Sequence, residues 1–298
     1  MKRIMVLGNA HRPGVAEEAE RLLPFLRQHA EIVHLDLLQE TDLAGVEAEL
    51  CIVLGGDGAI IRAARQMGYR QVPVLGINLG RLGFLADLTS DELREAFPRV
   101  VQGGYAVTSH LMFEARHELP GGPVSLPALG FNEIAIQAGP PFHMLDLGLI
   151  IDGEQVARYS GDGLIVSTPV GSTAHSLAAG GPILSQELAA FVVTPICPHG
   201  LTSRPVVDSA DKEYTVTVGR GGDTSWLVID GQQSLPLAEG ARITLRRAPA
   251  CFKLARAAGR SFYRTLHDKL HWGATPAYRN EPPPPEPRRD GIPPPTAG

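Results

Sequence analysis

Apolar positions in the first hundred residues alternate between two rhythms. Short unbroken runs occur at "RIMVLG" (3–8), "AEIVHLDL" (30–37), "ELCIVLGG" (49–56) and "VPVLGINLG" (72–80), and each has the length and composition of a strand. Within the run at 49–56, residues 50–54 are apolar throughout, as suits a strand covered on both faces in a parallel sheet. Between the runs the spacing changes. Val15, Ala19, Leu22, Leu23 and Leu26 recur at helical intervals, and Pro24 is expected to interrupt or kink that helix. "AIIRAARQMG" predicts a second helix ending at Gly68. Thr89 and Glu92 have capping-box spacing ahead of a third, "SDELREAFPRVVQ". Strands alternating with helices predict an α/β domain with a parallel sheet.

The rhythm shifts near Gly103 and Gly104. From Tyr105 to about Lys253 the pattern is one of strands and tight turns. Asp152-Gly153 and Asp230-Gly231 each sit between alternating segments and carry a type I′ hairpin signal. "EYTVTVGRGGDTSWLVI" reads as a further hairpin with a glycine-rich turn. A late helix, "SFYRTLHDKLHWG", precedes a tail of eighteen residues with eight prolines and little to bury. The expected organisation is an α/β domain over 1–103, a mostly β domain over 104–255, a C-terminal helix segment over 256–280 and a disordered proline-rich tail over 281–298.

Composition narrows the class. The 298 residues carry a formal net charge of −5, so no general attraction to nucleic acid or an anionic membrane is expected. Cys51, Cys197 and Cys251 are widely spaced and form no CxxC, which fits a reducing cytosol better than a disulfide framework or zinc site. The apolar run in "MKRIMVLGN" is too short for a secretory leader, and no run is long enough to span a membrane. A cytoplasmic protein is expected.

Candidate chemistry starts at "CIVLGGDGAIIRAARQMG" (51–68), where a strand stops at glycines that enclose Asp57. A strand, a glycine turn and a helix start together make an anion site, since helix N-terminal N–H groups and the helix dipole favour phosphate. The dinucleotide fingerprint needs a small residue where this loop has Ile61. A Walker A loop needs Gly-Lys, and none of the four lysines follows a glycine. Two readings remain on these residues alone. Asp57 caps the helix, or it binds Mg²⁺ or takes a proton from a hydroxyl beside the phosphates. A second glycine turn, "GINLGRLGFLADL" (76–88), follows the next strand, so both turns could line one crevice. Asn132-Glu133 reads as a strand-end turn on its own, and Asp162-Gly163 as a hairpin. The block 160–184 is rich in small polar residues, poor as core and good at binding a polar ligand.

In order along the chain, "GGDG", "GINLGRLGF", "FNEIAI", "DGLIVSTPVGSTAHSLAAGGPI", "PHGLTSRPVV" and "FYRTLHDKLHWG" resemble the NAD kinase family from Met1 to about Asn280. GGDG alone is shared with diacylglycerol kinases and phosphofructokinase-like enzymes; the block 162–183 is the specific part. The resemblance implies a phosphofructokinase-like α/β domain with a β-rich partner, and a final helix that returns to the first domain. It implies transfer of the γ-phosphoryl group of ATP, or of polyphosphate, to the 2′-hydroxyl of the adenosine ribose of NAD. Mg²⁺ or another divalent cation would be carried with ATP rather than held in a fixed site, and a homodimer or homotetramer is implied.

Carried over by position, Asp57 would be the general base and Gly58 would line the phosphate site. Arg62 would meet phosphate or the neighbouring loop, and Phe84 would pack on adenine. Asn132 and Glu133 would hold ribose and adenine groups. Asp162 would reach the nicotinamide half, from this chain or a neighbouring subunit. Thr173, Ala174, His175, Ser176 and Ala178 would line the dinucleotide site, with Gln232 and His143 as further contacts. The chain departs from the family's usual residues at Ala59, Val170 and His175, where threonine, threonine and tyrosine are common, and it has Ser160 where some members carry arginine. Two rivals are a lipid or polyol kinase with the same loop, which gives no reason for the block 162–183, and a dinucleotide-binding module that has lost catalysis, against which Asp57 argues.

Overall fold

The four apolar runs become parallel strands in the computed structural model, which describes residues 1–80, 83–86, 88–257 and 261–273. They are β1 (Lys2–Gly8), β2 (Ala30–Asp36), β3 (Leu50–Leu54) and β4 (Val74–Ile77). β1 pairs with β2 and β3, and β3 pairs with β4, all in parallel. Their C-terminal ends therefore share one edge of the sheet, where both glycine turns emerge. Every residue of β3 is buried, because helices cover the sheet on both faces.

Helix α1 (Val15–His29) buries Val15, Ala19, Leu22 and Leu26. It runs unbroken through Pro24, contrary to the expected interruption. Pro24 lies on the exposed face, where water can serve the carbonyl that loses its partner. Helix α2 (Asp57–Gln66) buries Ile60, Ile61, Ala63 and Ala64. Helix α3 (Ser90–Val100) begins with the expected box: the Glu92 N–H donates to Thr89 Oγ1 at 3.2 Å, and the Thr89 N–H donates to Glu92 Oε2 at 2.8 Å.

The β-rich region comprises β5 (Ala106–Glu118), β6 (Ala128–Gly130), β7 (Glu133–Ala138), β8 (Leu145–Ile151), β9 (Glu154–Gly161), β10 (Gly163–Ser167), β11 (Ala190–Ile196), β12 (Val206–Ser209), β13 (Tyr214–Val218), β14 (Ser225–Ile229), β15 (Gln233–Pro236) and β16 (Arg242–Arg256). One turn of helix, α4 (His175–Ala178), interrupts it after β10. The long strand β16 pairs parallel with β4 at Leu254 and antiparallel with β5 and β13. One sheet thus runs β2-β1-β3-β4-β16-β13-β8-β9, and a second, antiparallel sheet runs β12-β11-β10-β7-β14-β15. Inward side chains of both layers, including Phe113, Ile136, Val166, Phe191, Tyr214, Leu227 and Leu245, make their common core.

The two Asp-Gly turns join β8 to β9 and β14 to β15, with positive φ at both turn residues in each case. The third expected hairpin does not form. β13 lies between β16 and β8, whereas β14 pairs with β7 in the other sheet. Tyr214, Val216 and Val218 face Leu227 and Ile229 across the core instead of lying beside them. Alternation reads the same for strands that pair and strands that face, so sequence pattern does not separate the two. Asp162 is likewise a crossing between sheets and not a hairpin turn.

Helix α5 (Phe262–Leu270) belongs to a separate unit beginning at Ser261, whose hydroxyl accepts the Arg264 N–H. The expected tail, 281–298, lies outside the described residues. Among those residues no helix is long and apolar enough to cross a membrane.

Candidate active site

The glycine turn after β3 places Asp57 as the first residue of α2. Its carboxylate binds the second glycine turn: Oδ2 accepts the Phe84 N–H at 2.8 Å, and Oδ1 accepts those of Leu85 and Ala86 at 3.0 and 3.2 Å. A Cβ on Gly83 would overlap this carboxylate, so only glycine lets the turn approach. The Phe84 ring is buried, and its carbonyl accepts from Arg256 Nη2 at 3.4 Å. Asp57 thus joins the two turns.

Beside Asp57 opens a cavity of about 680 Å³, large enough for a nucleotide. Gly55, Gly56 and Gly58 form its floor, and Arg12 and Arg62 bring positive charge. Gln232 enters from the β14–β15 turn. Its Nε2 donates to the Gly58 carbonyl at 3.0 Å and its Oε1 accepts from Arg65 Nη1 at 2.9 Å. Gln39 closes another side and donates from Nε2 to the Ala59 carbonyl at 2.9 Å.

Asp230 connects this cavity to Asn132 and Glu133. Its carboxylate accepts the N–H groups of Phe131, Asn132 and Glu133 at 2.7 to 3.2 Å. Burial pushes Asp230 up to about 6, against those three amides and Arg65. Glu133 is also buried. Burial first, and the Asp230 charge second, push its carboxyl up to about 8. Asn132 Oδ1 and Glu133 Oε2 are buried with no hydrogen-bond partner. Two buried acceptors without partners at the mouth of a strand are costly unless something binds there.

The small-residue block follows β10. Ser167 pairs with Glu133 in the sheet, so the chain leaves β10 beside Asn132. Thr168 N–H and Ser167 Oγ both donate to the Asn132 carbonyl, at 2.8 and 3.2 Å, and Gly171 leaves no room there for a Cβ. Thr173 donates to the Val170 carbonyl, and Ser176 Oγ is buried against Thr194 Oγ1 at 2.8 Å. Ala174 and His175 are half-buried, and Ala178 is exposed. Burial lowers the His175 pKa, since it disfavours the charged ring.

Two expected residues stand apart. Gly163 pairs with Gln137, so Asp162 lies at the Ala138 end of β7, about 17 Å along the strand from Glu133. His143 is exposed in the loop that leaves the same end. Within one chain, the structure groups Gly58, Arg62 and Gln232 on the cavity wall, with Asp57 beside it between Gly56 and Gly58 and its carboxylate on the amides of residues 84–86. Asp230 links that group to Asn132, Glu133 and the block after β10. Asp162 and His143 are not brought to it.

This arrangement matches known proteins. The ATP-NAD kinase N-terminal domain model matches residues 4–105, and the ATP-NAD kinase C-terminal domain model matches residues 131–257. The chain belongs to the NAD kinase family. It is 46% identical over 277 residues to the NAD kinase of Rhodopirellula baltica, covering 93% of this chain and 89% of that one. Identity to the NAD kinase of Geotalea daltonii is 36% over 283 residues, covering 92% and 99%. A yeast NADH kinase complexed with NADH superposes with a TM-score of 0.84 at 22% identity, covering 94% of this chain and 90% of that one, a likeness of fold. An Archaeoglobus fulgidus NAD kinase in complex with ATP gives 0.72 at 26% identity, covering 90% and 98%. This NAD kinase family member is therefore an enzyme with an N-terminal α/β half built on a parallel sheet and a C-terminal half of mostly antiparallel strands.

Sequence reasoning missed Arg12, Gln39, Arg65 and Asp230 as site residues. Arg12 was reachable, since it is a cation in the turn after β1 on the edge where ligands gather. Asp230 read as turn chemistry, which it also is. Its carboxylate on β7 amides nearly a hundred residues away left no local signal.

Proposed function

We propose that the chain transfers the γ-phosphoryl group of ATP to the 2′-hydroxyl of the adenosine ribose of NAD, with Asp57 as the general base. The observation that carries this reading is a carboxylate at the head of a glycine-turn helix, between glycines that line a nucleotide-sized cavity with Arg12 and Arg62 in its wall. A ribose hydroxyl is a weak nucleophile at neutral pH and needs an acceptor for its proton. To serve as base, Asp57 exchanges one of its bonds to residues 84–86 for that hydroxyl. Helix N–H groups and the two arginines offset phosphate charge, so positioning carries most of the catalysis. Mg²⁺ arrives on the donor phosphates, where a hard cation takes phosphate and water oxygens and few carboxylates. Among the described residues no group of three or more His, Cys, Asp or Glu side chains forms a cage for it.

The unpartnered acceptors Asn132 Oδ1 and Glu133 Oε2 support a role for that pair in holding adenosine groups. The distance of Asp162 from them supports delivery of Asp162 by a second subunit, hence a homo-oligomer. The test is NAD plus ATP and Mg²⁺ with purified protein, read as NADP and ADP formed. Asp57→Asn should lower kcat by roughly 10²–10⁴ in a protein that still binds NAD. Near-normal turnover would remove Asp57 from the base role, and no NADP from the wild type would remove the function.

A further inference from the structure

The loop between β2 and β3 is built around one carboxylate. Asp36, the last residue of β2, is buried. Its Oδ1 accepts the N–H groups of Leu38 and Gln39 at 2.8 and 2.7 Å, and its Oδ2 accepts those of Glu40 and Thr41 at 3.0 Å each. Gln66 Nε2, at the end of α2, adds a bond at 3.3 Å. Burial alone would raise the Asp36 pKa, but the backbone bonds from Thr41, Leu38 and Gln39 outweigh it and hold the carboxyl at about 2.

This cage forces an unusual backbone. Gln39 has φ +57°, a left-handed conformation that side chains other than glycine's rarely adopt, and it is buried. A residue whose only task was to turn the chain would be glycine there. Glutamine spends that strain on reach: its Nε2 donates to the Ala59 carbonyl in the first turn of α2. Gln232 grips the preceding carbonyl, Gly58, from the β14–β15 turn. Successive carbonyls point about 100° apart around a helix. Two grips from two elements therefore fix the rotation of α2 about its axis as well as its position. That rotation aims the N–H groups of the glycine turn.

We propose that Gln39 is a positioning residue for the phosphoryl donor, held in place by Asp36, and that it acts by setting the rotation of α2 together with Gln232. The inference rests on the donor phosphates binding at the glycine turn, as proposed above. Gln39 makes no chemical step, and its loss should act on donor binding far more than on NAD.

The test compares Gln39→Ala with Gln39→Gly, by steady-state kinetics and by calorimetric binding of ATP and of NAD. Both variants lose the grip on Ala59. They differ in stability, because glycine relieves the left-handed strain and alanine keeps it. Both should lower kcat/KM for ATP by about tenfold and weaken ATP binding similarly, with NAD affinity within twofold of wild type. Gln39→Gly should melt above Gln39→Ala and yet be no more active. Donor kinetics and ATP binding within twofold of wild type in both variants would overturn the proposal. So would donor activity restored in Gln39→Gly in step with its melting temperature, since that would make Gln39 a stability element only. A wild-type protein that forms no NADP from NAD and ATP refutes the proposed function itself, which separates the two failures.

Discussion

Glu133→Gln should stabilise the protein, and the gain should grow with pH. Glu133 is 6% exposed, its Oε2 has no partner, and the Asp230 carboxylate lies close enough to disfavour a second charge. Its carboxyl is pushed from an ordinary 4.5 up to about 8. Below the ordinary value the group is neutral in both the folded and the unfolded chain, and it contributes nothing. Between that value and about 8 the unfolded chain releases the proton while the folded chain keeps it. The folded state then binds more protons, so stability falls as pH rises, and the loss is complete above about 8. At about 1.4 kcal/mol per tenfold change in proton affinity, the loss is roughly 3 kcal/mol at pH 7 and roughly 5 kcal/mol above pH 8. Glutamine has nearly the same shape as the neutral acid and cannot ionise, so it escapes the loss.

Thermal melts at pH 4.5, 7 and 8.5 measure this directly. Unfolding entropy for a chain of this size turns 3 kcal/mol into roughly 5 °C. The melting temperatures of Glu133→Gln and wild type should nearly coincide at the lowest pH and separate by about that much at pH 7, and further at 8.5. A gap that stays constant with pH, or widens toward acid, would refute the reasoning and show that Glu133 is charged in the folded protein.

Gly83→Ala should lower kcat by more than tenfold in the NADP assay while leaving the far-UV spectrum unchanged, because the added Cβ displaces the Asp57 carboxylate. For His175→Tyr, kcat/KM should change by less than about tenfold, and wild-type NAD affinity should be nearly flat from pH 8 down to 7. Half-burial disfavours the charged ring of His175, so a selective loss of NAD binding across that range, abolished by tyrosine, would refute the expectation.

How much of this was legible in the sequence depended on how far apart the partners lie. Strands β1 to β4, the capping box at Thr89 and both Asp-Gly turns rest on neighbours within a few residues, and pattern found them. The pairing of β13 and β14 was misread, because alternation reports which side of a strand is buried and not which strand lies alongside. The site divides the same way. Asp57 announces itself by local oddity, an acid among glycines, whereas Asn132-Glu133 reads as a strand-end turn until the family resemblance is added. Asp36 and Gln39 do not announce themselves. "HLDLLQE" reads as the end of a strand and a loop, and nothing in it shows four amides folding onto one carboxylate or a glutamine turned left-handed to meet α2.

The aspartate among glycines answers to two demands at once, and they constrain each other. As a clip, Asp57 needs the amides of Phe84, Leu85 and Ala86, which hold the second turn against the first. As the proposed base, it needs to face the acceptor hydroxyl. In the empty site the three amides occupy both carboxylate oxygens, so a hydroxyl reaches one only by taking the place of an amide. Substrate that displaces residue 84, 85 or 86 from Asp57 would therefore free an oxygen for the hydroxyl at the moment it arrives. That coupling requires glycine at 83 and a carboxylate at 57. Asparagine at 57 keeps an oxygen for the amides of Leu85 and Ala86 and turns an NH₂ group toward that of Phe84, so it loses one bond of the clip along with the proposed base.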